Sequence, residues 1–263
     1  MESWQAFLLG LIQGLTEFLP VSSSGHLELG KVLFGVEATE NLLFTVIVHA
    51  ATVLSTIVVF RKDILNLLKG FFSKGNNPEK MFVGKLLVSA IPVAFVGFLL
   101  KDVIEQLFDG NILFVGAMLL VTASLLSFTY FKKKGNREIT WRDSFIIGIG
   151  QAIAVLPGVS RSGTTIAVGM IIGNKPADLA RFSFLMVIIP ILGELFLDVV
   201  GGDLVTSASE IGVMPLIIGA LSAFISGLLA CKWMINIVKK GKLIWFAIYC
   251  AIVGLIAISC GLL

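Results

Sequence analysis

Six stretches of this chain are long and predominantly apolar. Residues 42–60, 81–100, 112–131, 182–197, 213–230 and 243–263 approach or reach the ~20 residues an α-helix needs to cross a bilayer. Two further apolar stretches, 4–34 and 141 onward, are interrupted by Pro20-Val-Ser-Ser-Ser-Gly25 and Pro157-Gly-Val-Ser-Arg-Ser-Gly163. The interrupted stretches are nearly copies of one another. Gly10/Gly148, Gln13/Gln151, Ser22/Ser160, Ser24/Ser162 and Gly25/Gly163 are each 138 positions apart, which predicts a duplicated unit.

Charge fixes how these segments thread. Residues 61–85 hold six Lys or Arg, 132–142 hold five and 232–242 hold four, whereas 198–212 hold none and carry Asp198, Asp203 and Glu210 instead. By the positive-inside rule the basic loops are cytoplasmic, and the loop containing Lys101 and that at 198–212 face outward. A single crossing by 141–156 would put the four-Lys loop outside. The segment is therefore expected to enter from the cytoplasm, break at Pro157–Gly163 and return near Lys175 and Arg181. By the repeat, 4–34 does the same from the outside. The expected fold is all-α and integral to the membrane, a single domain over 1–263. It is built as two inverted-topology repeats, about 1–131 and 141–263, each one re-entrant helical hairpin plus three transmembrane helices, with both termini outside. Trp4 and Trp141 stand where interfacial anchors belong. Non-helical backbone is tolerated at this depth only inside protein or along a wet cavity, so the two breaks are expected to meet.

Composition agrees: 57% of residues are hydrophobic and 14% charged, with a mean hydropathy of +0.98. The net charge of +3 lies in short loops rather than on one face, which argues against a nucleic-acid partner. Cys231, Cys250 and Cys260 have no metal-like spacing and read as apolar packers. Met1-Glu2-Ser3-Trp4 lacks the basic leader of a signal peptide, so the N-terminal segment is expected in the mature fold.

The breaks carry the candidate chemistry. A helix that starts at membrane depth presents free N–H groups to anions. Ser22, Ser23, Ser24, Ser160, Ser162, Thr164 and Thr165 add hydroxyls, and Gly25, Gly158 and Gly163 let backbone approach a ligand. Arg161 supplies a planar fork for bidentate phosphate contact. Gln13 and Glu17, four apart on one helical face, read as oxygen ligands of a divalent cation, Mg²⁺ or Ca²⁺, bridging to that phosphate. His26 can serve as general base, acid or nucleophile. Burying Glu17, Arg161 and His26 merely for packing is disfavoured, because a charged group at the centre of a span costs roughly 2.5 to 3.5 kcal/mol on insertion scales. His49 reads equally as a hydrogen-bonded core histidine or a functional one, and Glu28, Glu194 and Asp198 are expected in solvent near segment ends.

At these residues the chain resembles the bacterial undecaprenyl-diphosphate phosphatases, the bacitracin-resistance family. Gln13-Gly-Leu-Thr-Glu17 fits that family's (Glu/Gln)xxxGlu signature, and Pro157-Gly-Val-Ser160-Arg161-Ser162-Gly163-Thr-Thr165 fits its PGxSRSxxT signature. The likeness extends through Ser22–His26 and residues 180–185 and suits the whole length. It implies a hydrolase of the bacterial inner membrane acting on a long-chain isoprenyl diphosphate lipid, releasing undecaprenyl phosphate and inorganic phosphate and so recycling the carrier of cell-wall synthesis. Carried over by position, Glu17, Ser23, His26 and Arg161 are catalytic. Gln13, Ser22, Ser24, Gly25, Ser160, Ser162, Gly163 and Thr165 bind substrate, and Gln13 and Glu17 hold the metal. The nucleophile stays open between Ser23, His26 and a metal-bound water, with Ser23 assisted by His26 the expected arrangement. A polyprenyl-phosphate flippase or other secondary transporter using the same anion site is the competing class, and a homo-oligomer is compatible with either. A carrier needs the anion site but neither nucleophile nor metal.

Overall fold

The computed structural model describes residues 1–36, 41–100, 111–132, 135–201 and 211–262. The expectations for Lys101, Lys133, Lys134, Asp203 and Glu210, and for the side chains of Glu194 and Asp198, lie outside the described residues. The chain forms α1 (Ser3–Phe18), α2 (Ser23–Phe34), α3 (Asn41–Val59), α4 (Arg61–Phe72), α5 (Pro78–Leu99) and α6 (Ile112–Phe131). It continues with α7 (Trp141–Ile153), α8 (Arg161–Ile171), α9 (Pro176–Met186), α10 (Ile188–Gly201), α11 (Val213–Lys240) and α12 (Ile244–Gly261). Among the described residues there is no strand, only an isolated bridge between Arg137 and Asn174.

Five helical stretches are long and apolar enough to cross a membrane: Pro78–Leu99, Ile112–Phe131, Pro176–Leu197, Val213–Lys240 and Ile244–Gly261. A sixth is reached if α3 and α4, bent by 77° at Phe60, count as one broken span. This is a multi-pass membrane protein. The fourth span starts earlier than residue 182, because Pro176 opens a helix at its first turn, where a missing N–H costs nothing. Residues 61–72 form a helix rather than a basic loop. Its Leu65, Leu68 and Phe72 are exposed beside Arg61, Lys62 and Lys69, the composition of a helix lying in the membrane interface. Arg181 of α9 ties it down, with Nη2 donating to Asp63 at 3.0 Å and the guanidinium over the Phe82 ring.

The interrupted stretches form two helical hairpins, α1–α2 and α7–α8, each closed at its base. In the first, Gln5 Nε2 donates to the Phe34 carbonyl at 2.9 Å and Trp4 packs edge-on against Phe34. In the second, backbone bonds join Arg137 to Gly173 and Lys175. Buried Asp143 accepts from Arg137, Asn174 Nδ2 and Thr140 N at 2.9 to 3.0 Å, and its own N–H is capped by Thr140. Entry and exit of each hairpin are thus side by side.

The hairpins are embedded by exchange: α1 packs most extensively on α11, and α7 on α5. Close approach explains the glycines there. A Cβ on Gly10 would lie 2.3 Å from the Gly219 carbonyl, and one on Gly148 would lie 2.4 Å from that of Ser89. Where α6 crosses α12, a Cβ on Gly116 would strike Gly254 O, and one on Gly254 would strike Gly116 O. The main apolar cluster joins Phe18, Leu126, Ile166, Phe182, Phe184 and Met234. It therefore surrounds the point where the hairpin tips arrive.

Candidate active site

The two breaks touch. A Cβ on Gly25 would lie 3.0 Å from Gly158 Cα, one on Gly163 would lie 3.1 Å from Pro20 Cβ, and Ser162 Oγ donates to the Leu19 carbonyl at 3.2 Å. Each break ends in the same device. Ser22 caps α2 by accepting from Gly25 N at 3.2 Å, and Ser160 caps α8 by accepting from Gly163 N at 3.1 Å. Ser22 has φ 70°, a conformation costly for a side chain other than glycine's, and it turns the chain so that Ser23 points back at α1. The second tip is braced by Thr122 of α6, which donates to Gly158 O and accepts from Ser160 N, both at 3.0 Å.

Glu17 is the hub. Its Oε2 accepts from Ser23 Oγ at 2.6 Å and from Gln13 Nε2 at 2.9 Å, and it faces His49 Nε2 at 3.8 Å. Arg161, first residue of α8, attracts Glu17 electrostatically and shares its cavity, which is also lined by Ser162, Ser183, Thr52 and Thr56. Of about 20 Å³, the cavity has room for one water. A diphosphate therefore needs its walls, α3 on one side and α9–α10 on the other, to part. Thr165 stands behind it, with Oγ1 bonded to the Arg161 carbonyl at 2.9 Å and to Ser183 Oγ at 2.7 Å. Ser22 and Ser24 hydroxyls are 3.3 Å apart, and those of Ser160 and Ser162 are 3.4 Å apart.

The structure thus brings Gln13, Glu17, Ser23, Arg161 and Ser162 together and sets His26 apart. The imidazole Nδ1 donates to the Ser22 carbonyl at 2.8 Å and Nε2 is 2.8 Å from Tyr249 Oη, beside an apolar groove that includes Ile12, Leu15 and Leu29. Both ring nitrogens are engaged, so Ser23's partner is Glu17 rather than His26. The cause is local: the Ser22 carbonyl, four residues back, captures the imidazole, while the positive φ of Ser22 turns Ser23 toward Glu17. Glu28 is buried and paired with Lys31 at 2.9 Å, not solvated, because i and i+3 stack on one face of α2 and the two charges are buried together.

Sequence reasoning left out Thr52, Thr56, Ser183 and Tyr249. His49, Thr52 and Thr56 form an i, i+3, i+7 polar stripe in a largely apolar span, a signal that was there to find. Tyr249, an isolated phenol in the last span, gave none.

Among the described residues Gln13 Oε1 is a buried acceptor without a hydrogen-bond partner, next to a carboxylate that retains a second oxygen. That donor set, one amide and one carboxylate oxygen, fits a hard divalent cation.

The sequence matches, over residues 6–256, the family described as Bacitracin resistance protein BacA. It is 56% identical to a protein of Parabacteroides distasonis named undecaprenyl-diphosphatase, over 100% of both chains. The protein of that name in Bacteroides fragilis is 56% identical over 98% of each chain. That of Korarchaeum cryptofilum is 39% identical over 98% of this chain and 99% of its own.

Proposed function

The chain belongs to the bacitracin resistance protein BacA family, and from that membership and the site geometry we propose that it hydrolyses undecaprenyl diphosphate to undecaprenyl phosphate and inorganic phosphate. The observation that carries this reading is the 2.6 Å bond from Ser23 Oγ to Glu17 Oε2, made where two helix N-termini and Arg161 converge. Glu17 takes the Ser23 proton as Oγ attacks the terminal phosphorus. The bond from that phosphorus to the bridging oxygen breaks, and undecaprenyl phosphate leaves with the electron pair. Water then cleaves the Ser23 phosphoester, giving inorganic phosphate and returning the hydroxyl. Arg161 holds two phosphoryl oxygens through its planar fork, and Ser22, Ser24, Gly25, Ser160, Ser162, Gly163 and Thr165 build the cradle around them. His26 anchors the first turn of α2 through Ser22 and stands on the side where the isoprenyl chain leaves for the bilayer. Gln13 and Glu17 hold a divalent cation, Mg²⁺ or Ca²⁺, which when bound neutralises diphosphate charge.

The fold in this reading is one membrane domain of two inverted repeats, 1–131 and 141–263, with both termini outside the bacterial inner membrane. The reciprocal contact of Gly116 with Gly254, again 138 positions apart, supports it. So does the exchange in which each hairpin packs on a long span of the other half. The test is phosphate release from undecaprenyl diphosphate by protein purified in detergent, with and without chelator. Release that chelator abolishes and added Mg²⁺ or Ca²⁺ restores is expected; no release under any metal condition rules the activity out.

A further inference from the structure

His49 stands beside Glu17, and no sequence motif accounts for it. α3 aligns it with Thr52 and Thr56, which line the cavity with Glu17. Its Nδ1 lies 2.8 Å from the Thr45 carbonyl oxygen. A carbonyl only accepts, so Nδ1 carries a proton, and in the neutral form of the ring Nε2 presents a bare lone pair. That lone pair faces Glu17 Oε2 at 3.8 Å, too far for a hydrogen bond and with two acceptors opposed. A divalent cation bound by the ring and the Glu17 carboxylate would remove the conflict, and the two groups stand close enough to share one. Gln13 supplies the third donor. Its Nε2 is committed to Glu17, and its fully buried Oε1 has no hydrogen-bond partner among the described residues. Histidines that ligate metals commonly donate their other N–H to a backbone carbonyl, as His49 does to Thr45. Among the described residues no three His, Cys, Asp or Glu side chains cluster; here the amide of Gln13 completes the set.

We propose that His49 Nε2 is the third protein ligand of the divalent cation held by Gln13 and Glu17, and that this nitrogen shifts the site's preference from Ca²⁺ toward Mn²⁺ and its first-row neighbours. The inference rests on the cation reading given above. Replacing a hard oxygen with imidazole favours metals of the first transition row over Ca²⁺.

Electron spin-echo spectroscopy of bound Mn²⁺ tests it, using protein without a histidine tag in a nitrogen-free detergent. The chain has two histidines, His26 and His49. An imidazole ¹⁴N signal is expected in the wild type and in His26→Gln, and its absence in His49→Gln. Mn²⁺ affinity in His49→Gln should fall by about tenfold or more, and Mg²⁺ affinity by less. Should His49→Gln fail to fold, the wild type and His26→Gln decide the matter. Mn²⁺ whose binding is lost in Glu17→Gln but which shows no imidazole coupling overturns the role of His49 while leaving the cation reading in place. No Glu17-dependent Mn²⁺ binding overturns both.

Discussion

Gly14→Ala tests how the site is held. Gly14 lies on α1 between Gln13 and Glu17 and faces α11. A Cβ there would sit 2.0 Å from Ser226 Oγ, 2.4 Å from the Ala223 carbonyl oxygen and 2.8 Å from Gly227 N. The serine can rotate away; the two backbone atoms cannot. Ordinary contact begins at 3.4 Å, so α1 and α11 must separate by about 1 Å. Overpacking of this kind costs about 1 to 3 kcal/mol, offset by the ~1 kcal/mol gained when alanine replaces a helical glycine. Stability should therefore drop by up to about 2 kcal/mol. The larger effect is on turnover. Glu17 moves with α1, the 2.6 Å bond from Ser23 lengthens past hydrogen-bonding range, and a misplacement of about 1 Å can cost roughly 100-fold in rate. The assay pairs phosphate release with melting temperature in detergent. Gly97→Ala serves as the control, because a Cβ at Gly97 would meet nothing within 4 Å among the described residues, and it should be neutral or slightly stabilising. Wild-type turnover in Gly14→Ala would mean that the contact of α1 with α11 does not set the position of Glu17.

Arg161→Lys keeps the charge but loses the planar fork, so turnover should fall about tenfold or more with the melting temperature unchanged; a near-normal rate removes Arg161 from the phosphate clamp. Asp143→Ala leaves the Thr140 cap on its own N–H but removes the carboxylate that accepts from Thr140 N, Arg137 and Asn174 at the base of the second hairpin. It should lower stability by about 2 to 3 kcal/mol, read as a lower denaturation midpoint. An impermeant thiol reagent should reach a cysteine at Ser207 from outside and one at Asn136 only from the cytoplasm, in a background lacking Cys231, Cys250 and Cys260; labelling of both from one side contradicts the inverted topology.

The membrane class and the positions of the long helices were legible because hydrophobic run length is a one-dimensional property. The hairpin breaks were legible because Pro20, Gly25, Pro157 and Gly163 are local signals, and the 138-residue spacing said that the two belonged together. Helix α4 was not, since its basic residues were read for orientation while Leu65, Leu68 and Phe72 went uncounted as an apolar face. Partner choice inside the site was also hidden. Nothing in Ser22-Ser-Ser-Gly-His26 states that Ser22 adopts a positive φ, and that angle sends Ser23 to Glu17 and leaves His26 to Tyr249. Likewise, burial of Glu28 with Lys31 depends on which face of α2 is packed against the rest of the protein, a tertiary fact.

Whether Glu17 drives the chemistry is decided by the rate of phosphate release from undecaprenyl diphosphate by Glu17→Gln relative to wild type, measured at equal folded protein. Glutamine keeps the shape and can still accept from Ser23 and Gln13, but it takes no proton and ligates a cation weakly. Loss of general-base function alone removes about 10² to 10⁴-fold. An active wild type and a Glu17→Gln rate reduced by at least about 100-fold are expected. A Glu17→Gln enzyme releasing phosphate at the wild-type rate would contradict the role of Glu17 as base and metal ligand.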